Sequence, residues 1–214
     1  MLAGIVTVTF VGMAAHAHTL VLDLALTIRH DGHGGVADDL QDAAGLTGWV
    51  RERADDLVDE MPGARDFTAD GDALAAVLEL RAAVRSLFAR AVRPGLPSSA
   101  DAQRLLPADR ALGRLNSAAA DVPVVPRLDW PETGEPTAVS RPAGAAGECA
   151  ALTAALARAA IAFLAGPGRA RLRACHAPRC VRYFLKEHPR QEWCKPVCGN
   201  RARVARHHER HRSA

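Results

Sequence analysis

Aromatic side chains are scarce in this sequence: they make up 4% of 214 residues, with a single tyrosine. A core built on rings is excluded. Alanine and leucine must carry it, which favours helices packed closely on small side chains. Lysine is scarcer still, 2 residues against 25 arginines. So lopsided a ratio reads as a bias of coding composition, and arginine in place of lysine says little about any one contact. No lysine or arginine precedes Arg29. The apolar stretch from Met1 ends in a small-x-small triplet, Ala15-His16-Ala17, but lacks the positive leading region of a signal peptide. It is also too short and too broken to cross a membrane. These absences point to a cytoplasmic protein with no membrane partner. There is no C-x-x-C pair, which argues against a redox dithiol, and no internal repeat or low-complexity tract.

What is present is unevenly placed. Residues 169–214 hold 13 Lys+Arg against 3 Asp+Glu, and residues 1–168 hold 14 against 21, giving +10 and −7. A basic tail on an acidic body points to a polyanion-binding module on a separate domain. The alternative is a solvated basic helix with no partner. The five cysteines divide in the same way: Cys149 stands apart, while Cys175, Cys180, Cys194 and Cys198 fall within 24 residues. A secreted disulfide framework would spread an even number along the chain. The cluster reads as reduced thiolates on a metal, and Cys149 as a small core hydrophobe.

Three segments are expected: a poorly defined start over 1–18, a helical domain over 19–165, and a zinc-binding module over 169–214. The break falls at Gly166-Pro167-Gly168. Thr19 to Arg29 is a buried helix or strand, and the domain begins near Thr19. Asp42 to Glu60 has helical periodicity, with Leu46, Trp49, Val50 and Leu57 on one face. Thr68 or Asp70 caps a long helix that reaches about Val92 and stops at Pro94-Gly95. Another helical region follows Ser98 and Ser99, is interrupted at Pro107, and resumes through Leu112 and Leu115. Residues 121–142 are rich in proline and valine, which predicts short edge strands turning at Pro131–Gly134. A last helix of this domain runs from about Gly147 to Ala165. The fold class is mainly α with minor β (α+β): a helical N-terminal domain with a small β-hairpin, then a treble-clef-like zinc finger of hairpin and basic helix.

The cysteine spacing is Cys175-x4-Cys180-x13-Cys194-x3-Cys198. Zinc takes four soft ligands at about 2.3 Å in a tetrahedron, which needs two close pairs brought together by the fold. The first pair fits a tight turn holding Pro178. The second, at i and i+4, fits the first turn of a helix, where thiolates meet the positive end of the dipole. One structural Zn²⁺ per chain is expected, since four thiolates leave no position for a substrate water. So small a module has too little apolar area to fold alone, and the metal supplies much of its stability. Other readings are two disulfides, or a site using Cys194, Cys198, His207 and His211. The second has only eight residues between Cys198 and His207 and would orphan Cys175 and Cys180. His176 and His188 are turn residues near the site.

Beyond Cys198 the sequence is basic and helical. Arg203, Arg206 and Arg210 form one stripe, flanked by Arg201 and Arg212, which matches phosphates along a groove. Asn200 either contacts an adenine edge or braces the knuckle. Trp193 packs against the hairpin or stacks on a base. Five phosphate contacts imply a salt slope of about −4 to −5 in log–log affinity.

At these residues a resemblance emerges. Cys198-Gly199-Asn200-Arg201, preceded by Trp193-Cys194 and followed by an arginine-rich helix, resembles the CGNR zinc finger; Cys175-x4-Cys180 and Tyr183-Phe184-Leu185 match it too. That family usually joins the finger to an N-terminal ABATE domain, described as a stress-induced transcription regulator. Leu22-Asp23-Leu24, Thr27 and Leu40 to Trp49 are similar to the start of that domain. Three departures stand out: Leu26 where Asn is usual, Lys186 where Asp is common, and Arg203 where Lys is common. The resemblance implies a DNA-binding transcription regulator, not an enzyme. Its N-terminal domain would form a homodimer or sense a small-molecule ligand. RNA or ribosome binding and protein–protein contact remain open for the finger. An enzyme would have to use His30, Asp31 and His33, or His16 and His18 with Asp23, and none of these has a recognisable catalytic spacing.

Overall fold

The computed structural model describes residues 13–212 apart from 32, 34 and 102, with side chains from Leu20 onward. The segment 1–12 and the side chains of His16 and His18 lie outside the described residues. Helix α1 (Met13–Leu26) leads into an antiparallel pair, β1 (Ile28–His30) and β2 (Val36–Asp38). Then come α2 (Ala43–Glu52), the single turn α3 (Ala54–Leu57), the long α4 (Gly71–Ala91) and α5 (Ala108–Ala120). Strands β3 (Val124–Asp129) and β4 (Thr137–Pro142) make a second antiparallel pair before α6 (Glu148–Ala165). The chain ends with β5 (Leu172–Ala174), its antiparallel partner β6 (Tyr183–Leu185) and α7 (Pro196–Arg212).

Helix starts follow from side-chain chemistry. The Asp42 carboxylate accepts the Gly45 N–H at 2.8 Å, and that of Asp70 accepts the Ala73 N–H at 2.7 Å. Each cap is worth about 1 kcal/mol. Thr68, the other candidate cap, instead accepts from Arg51.

Helix α6 is the centre of the core, touching α1, α4 and α5. Its buried face is largely Ala154, Ala155, Ala157, Ala159 and Ala160, and these small side chains let the neighbouring helices approach closely. The few rings meet here: Phe88 stacks at a tilt on Phe163 and edge-on against Tyr183, with centroids 5.3 and 5.4 Å apart. By length and composition α6 could cross a membrane, but it serves here as a core helix.

The elements differ from expectation at five places. In the region after Ser98 and Ser99, a single 3-10 turn (Ser99–Asp101) takes the place of the expected helix before Pro107. The segment from Thr19 is neither one helix nor one strand: α1 starts earlier, at Met13, and β1 follows the Thr27 turn. The helix expected over Asp42–Glu60 breaks at Arg53, whose guanidinium folds back to the Trp49 carbonyl and lies over the Trp49 ring. Cys194 lies ahead of α7, and only Cys198 is inside it. The first cysteine pair sits in the turn between β5 and β6, so the hairpin contains the knuckle and does not follow it.

The β5–β6 hairpin also ties the tail to the body. Leu172, Ala174 and Tyr183 belong to the main core, whereas Phe184 faces the cysteine cluster. Strand alternation produces both faces from consecutive residues. Buried polar groups seal the joint. On α4, Arg85 donates to Asp101 at 2.7 Å and to the Ala25 carbonyl at 2.5 Å. The Tyr183 hydroxyl donates to the second Asp101 oxygen at 2.7 Å. Ser98 and Ser99 donate to the carbonyls of Val181 and Cys180, at 2.8 and 3.2 Å. Burial and the Asp101 charge push the Tyr183 hydroxyl up, so it stays a donor. One turn earlier, Arg81 holds both Asp38 oxygens at 2.6 Å and reaches Thr27 Oγ1 at 2.8 Å.

Candidate zinc centre and nucleic-acid interface

The turn between Cys175 and Cys180 is closed by two backbone bonds, Cys180 N–H to Ala177 O and Cys175 N–H to Arg182 O, both 2.9 Å. Pro178 followed by a positive φ of 64° at Arg179 is the pattern of a type II turn. Here the left-handed position is filled by arginine, at a cost of about 1 kcal/mol that glycine would avoid. The chain then returns along β6, turns at residues 188–190, and delivers Cys194 just before α7.

The four sulfurs converge: the ligand atoms of Cys175, Cys180, Cys194 and Cys198 all lie within 4.8 Å of one another. Cys194 Sγ is 3.6 Å from both Cys180 Sγ and Cys198 Sγ. A zinc tetrahedron with bonds of about 2.3 Å has sulfur–sulfur edges of about 3.8 Å. A disulfide would need about 2.05 Å, and all five cysteines are free thiols. Cys149 lies on α6, packed against the main core and away from the cluster, where burial raises its thiol.

Electrostatics agree with a cation at the centre of the four. Thiols from Cys180 and Cys194 bond to Cys175 and pull it down, aided by the backbone N–H groups of Cys194 and Ala177. The same proximity to Cys175 pushes Cys180 up to about 11 and Cys194 higher still. Once Cys175 is ionised, its charge holds back Cys180 and Cys194, and a multivalent cation would offset that repulsion. One structural zinc fits this donor set, and the four thiolates fill its coordination shell.

Gly199 and Arg201 shape the surroundings. A Cβ on Gly199 would stand 3.0 Å from Cδ1 of the Trp193 ring, so the glycine lets that ring close over the helix start. Trp193 thus packs on the second core cluster beside Cys194. Arg201 is turned away from the DNA-facing stripe expected for it. Its Nη2 donates to Cys198 Sγ at 3.1 Å, while its buried Nε makes no hydrogen bond. A zinc with four thiolates carries −2, and a guanidinium donating to sulfur offsets part of that charge. The sequence signal for this role was its place three residues after the last cysteine, one helical turn on.

Cys198 and Ala202 bury the inner face of α7, and the outer face is open. Arg203, Arg206, Arg210 and Arg212 are all exposed. Asn200 is exposed too, its amide oxygen accepting from Arg203 at 3.1 Å. Glu209 lies with Arg203, Arg206 and Arg210 along one shallow groove. His176 and His188 are exposed turn residues.

The N-terminal histidine loop makes no comparable centre. The Asp31 carboxylate accepts the backbone N–H groups of His33 and Gly35 at 2.7 and 2.9 Å, a turn-closing role. Asp23 pairs with Arg53 at 3.2 Å. Among the described residues, the four cysteines are the only group of three or more side chains placed to share a metal ion.

A helical body joined to a four-cysteine finger with an outward arginine face defines a structural zinc-finger protein. The chain belongs to the ABATE family, which it matches over residues 18–167 and which is described as a "putative stress-induced transcription regulator". Residues 171–211 match the CGNR zinc finger. A search of the curated proteins finds no match.

Proposed function

We propose that this chain is a DNA-binding transcription regulator in which the zinc site fixes α7 and the outer face of α7 meets the phosphate backbone. The observation that carries the reading is the division of α7 itself. One face is anchored by Cys198, Ala202 and the Arg201–sulfur bond; Arg203, Arg206 and Arg210 form a stripe beside it, and Arg212 is exposed at the helix end. Phosphate recognition calls for such a rigid base under exposed guanidinium groups. With Arg201 committed to sulfur, four contacts remain, and the salt slope becomes about −3.6 in place of −4 to −5. Affinity of the zinc-loaded chain for random duplex DNA, measured by anisotropy across a salt series, tests this. A slope near zero would overturn it, and preference for structured RNA in competition would move the target to RNA.

The sensing role belongs to the helical body. A cavity of about 330 Å³ opens between α1, α3, β4 and α6, walled by Leu20, Leu57, Val139 and Ala159 with Glu60 and Arg158 paired at its edge. Its size and mixed lining suit a small organic ligand. We assign no enzymatic step to the chain, and the location that fits this role is the cytoplasm.

A further inference from the structure

His207 and His211 take no part in the zinc centre or in the arginine stripe. They lie one turn apart on α7, both exposed, with their rings 4.3 Å apart between centroids. Their Nε2 atoms face each other at 3.2 Å. Two imidazole nitrogens bound to one cation at about 2.0–2.1 Å must stand about 3.3 Å apart in a tetrahedral site, and about 3.0 Å apart as neighbours in an octahedral one. The observed separation falls between these values without any movement of the helix. At 100° per residue, both rings lie on the outer side of α7, opposite Cys198 and Ala202.

We propose that His207 and His211 form a second metal site, an open two-imidazole chelate for a borderline divalent cation such as Ni²⁺ or Zn²⁺. Imidazole pairs favour these ions over Mg²⁺ or Ca²⁺, which prefer oxygen. The remaining positions would be held by water, so this site is open where the four-cysteine site is closed. Opposing it is repulsion from Arg203 and Arg210 along the neighbouring stripe, which solvent screens at this exposed position. His208 also touches His207, but edge-on with centroids 6.0 Å apart, and as the next residue along it points off the chelating line.

The test uses the full zinc-loaded chain, Ni²⁺ as the probe, and no nucleic acid, so it stands apart from the DNA reading. Calorimetric titration at about pH 7.5, where free imidazole is mostly neutral, should show one Ni²⁺ bound per chain while elemental analysis shows the structural zinc retained. His207→Ala and His211→Ala should each remove that equivalent, and His208→Ala should keep it. Absence of a Ni²⁺ equivalent in the parent chain, or its survival in both His207→Ala and His211→Ala, would overturn the proposal. All three side chains are exposed, so folding should be unaffected.

Discussion

Arg201 and Arg203 carry the same charge two positions apart, yet α7 turns them to opposite sides. Arg201 points inward to Cys198 Sγ, and Arg203 is exposed. Their substitutions should therefore separate cleanly. Arg201→Ala should lower zinc affinity by roughly 10- to 100-fold, the usual cost of losing a partner of a metal ligand, read by competition with a chromophoric chelator. At saturating zinc its salt slope on DNA should be unchanged. A second residue-scale prediction concerns acid. Burial alone would raise the Asp38 carboxyl, but hydrogen bonds from Arg81 and the Leu40 N–H outweigh it and hold the carboxyl below its usual value. A folded pKa below the unfolded one adds stability above about pH 3.9 that is lost as pH falls through the folded value. Denaturant titrations should thus show Asp38→Asn less stable than the parent at neutral pH, with the gap closing below about pH 4. A gap independent of pH would show that the Arg81–Asp38 pair does not couple to folding.

At the scale of elements, much was legible in the sequence. The starts of α2 and α4 follow from Asp42 and Asp70, and the proline-rich stretch gives β3 and β4 with their turn near Pro131–Gly134. Cysteine spacing located all four sulfurs, because ligand pairs must come from short chain segments whatever the rest of the fold does. The misses have a common cause in tertiary contacts, which leave no periodic trace. The helix that looks continuous breaks at Arg53, whose guanidinium reaches across to Asp23 on α1 as well as to the Trp49 carbonyl. Arg85 and Asp101 form a buried pair that exists only when α4 and the Ser98–Asp101 turn are brought together, and no local pattern marks either residue. The two-faced hairpin was hidden in three residues, too few for alternation to register.

For the whole molecule, the finger and the helical body share one core through Leu172, Ala174 and Tyr183. Removing zinc should therefore be felt beyond the tail. Hydrogen exchange of the α4 amides should speed up in the metal-free chain, because the knuckle carbonyls of Cys180 and Val181 are the acceptors that Ser99 and Ser98 use. Unchanged exchange in α4 would show the two parts to be energetically independent. The central claim is that the outer arginines of α7 bind DNA, and the most direct measurement is the affinity of the zinc-saturated chain after the triple charge reversal Arg203→Glu, Arg206→Glu and Arg210→Glu. All three side chains are exposed, so zinc content should stay at one per chain while DNA binding at moderate salt is lost. Retained binding with a salt slope still near about −3.6 would contradict the account.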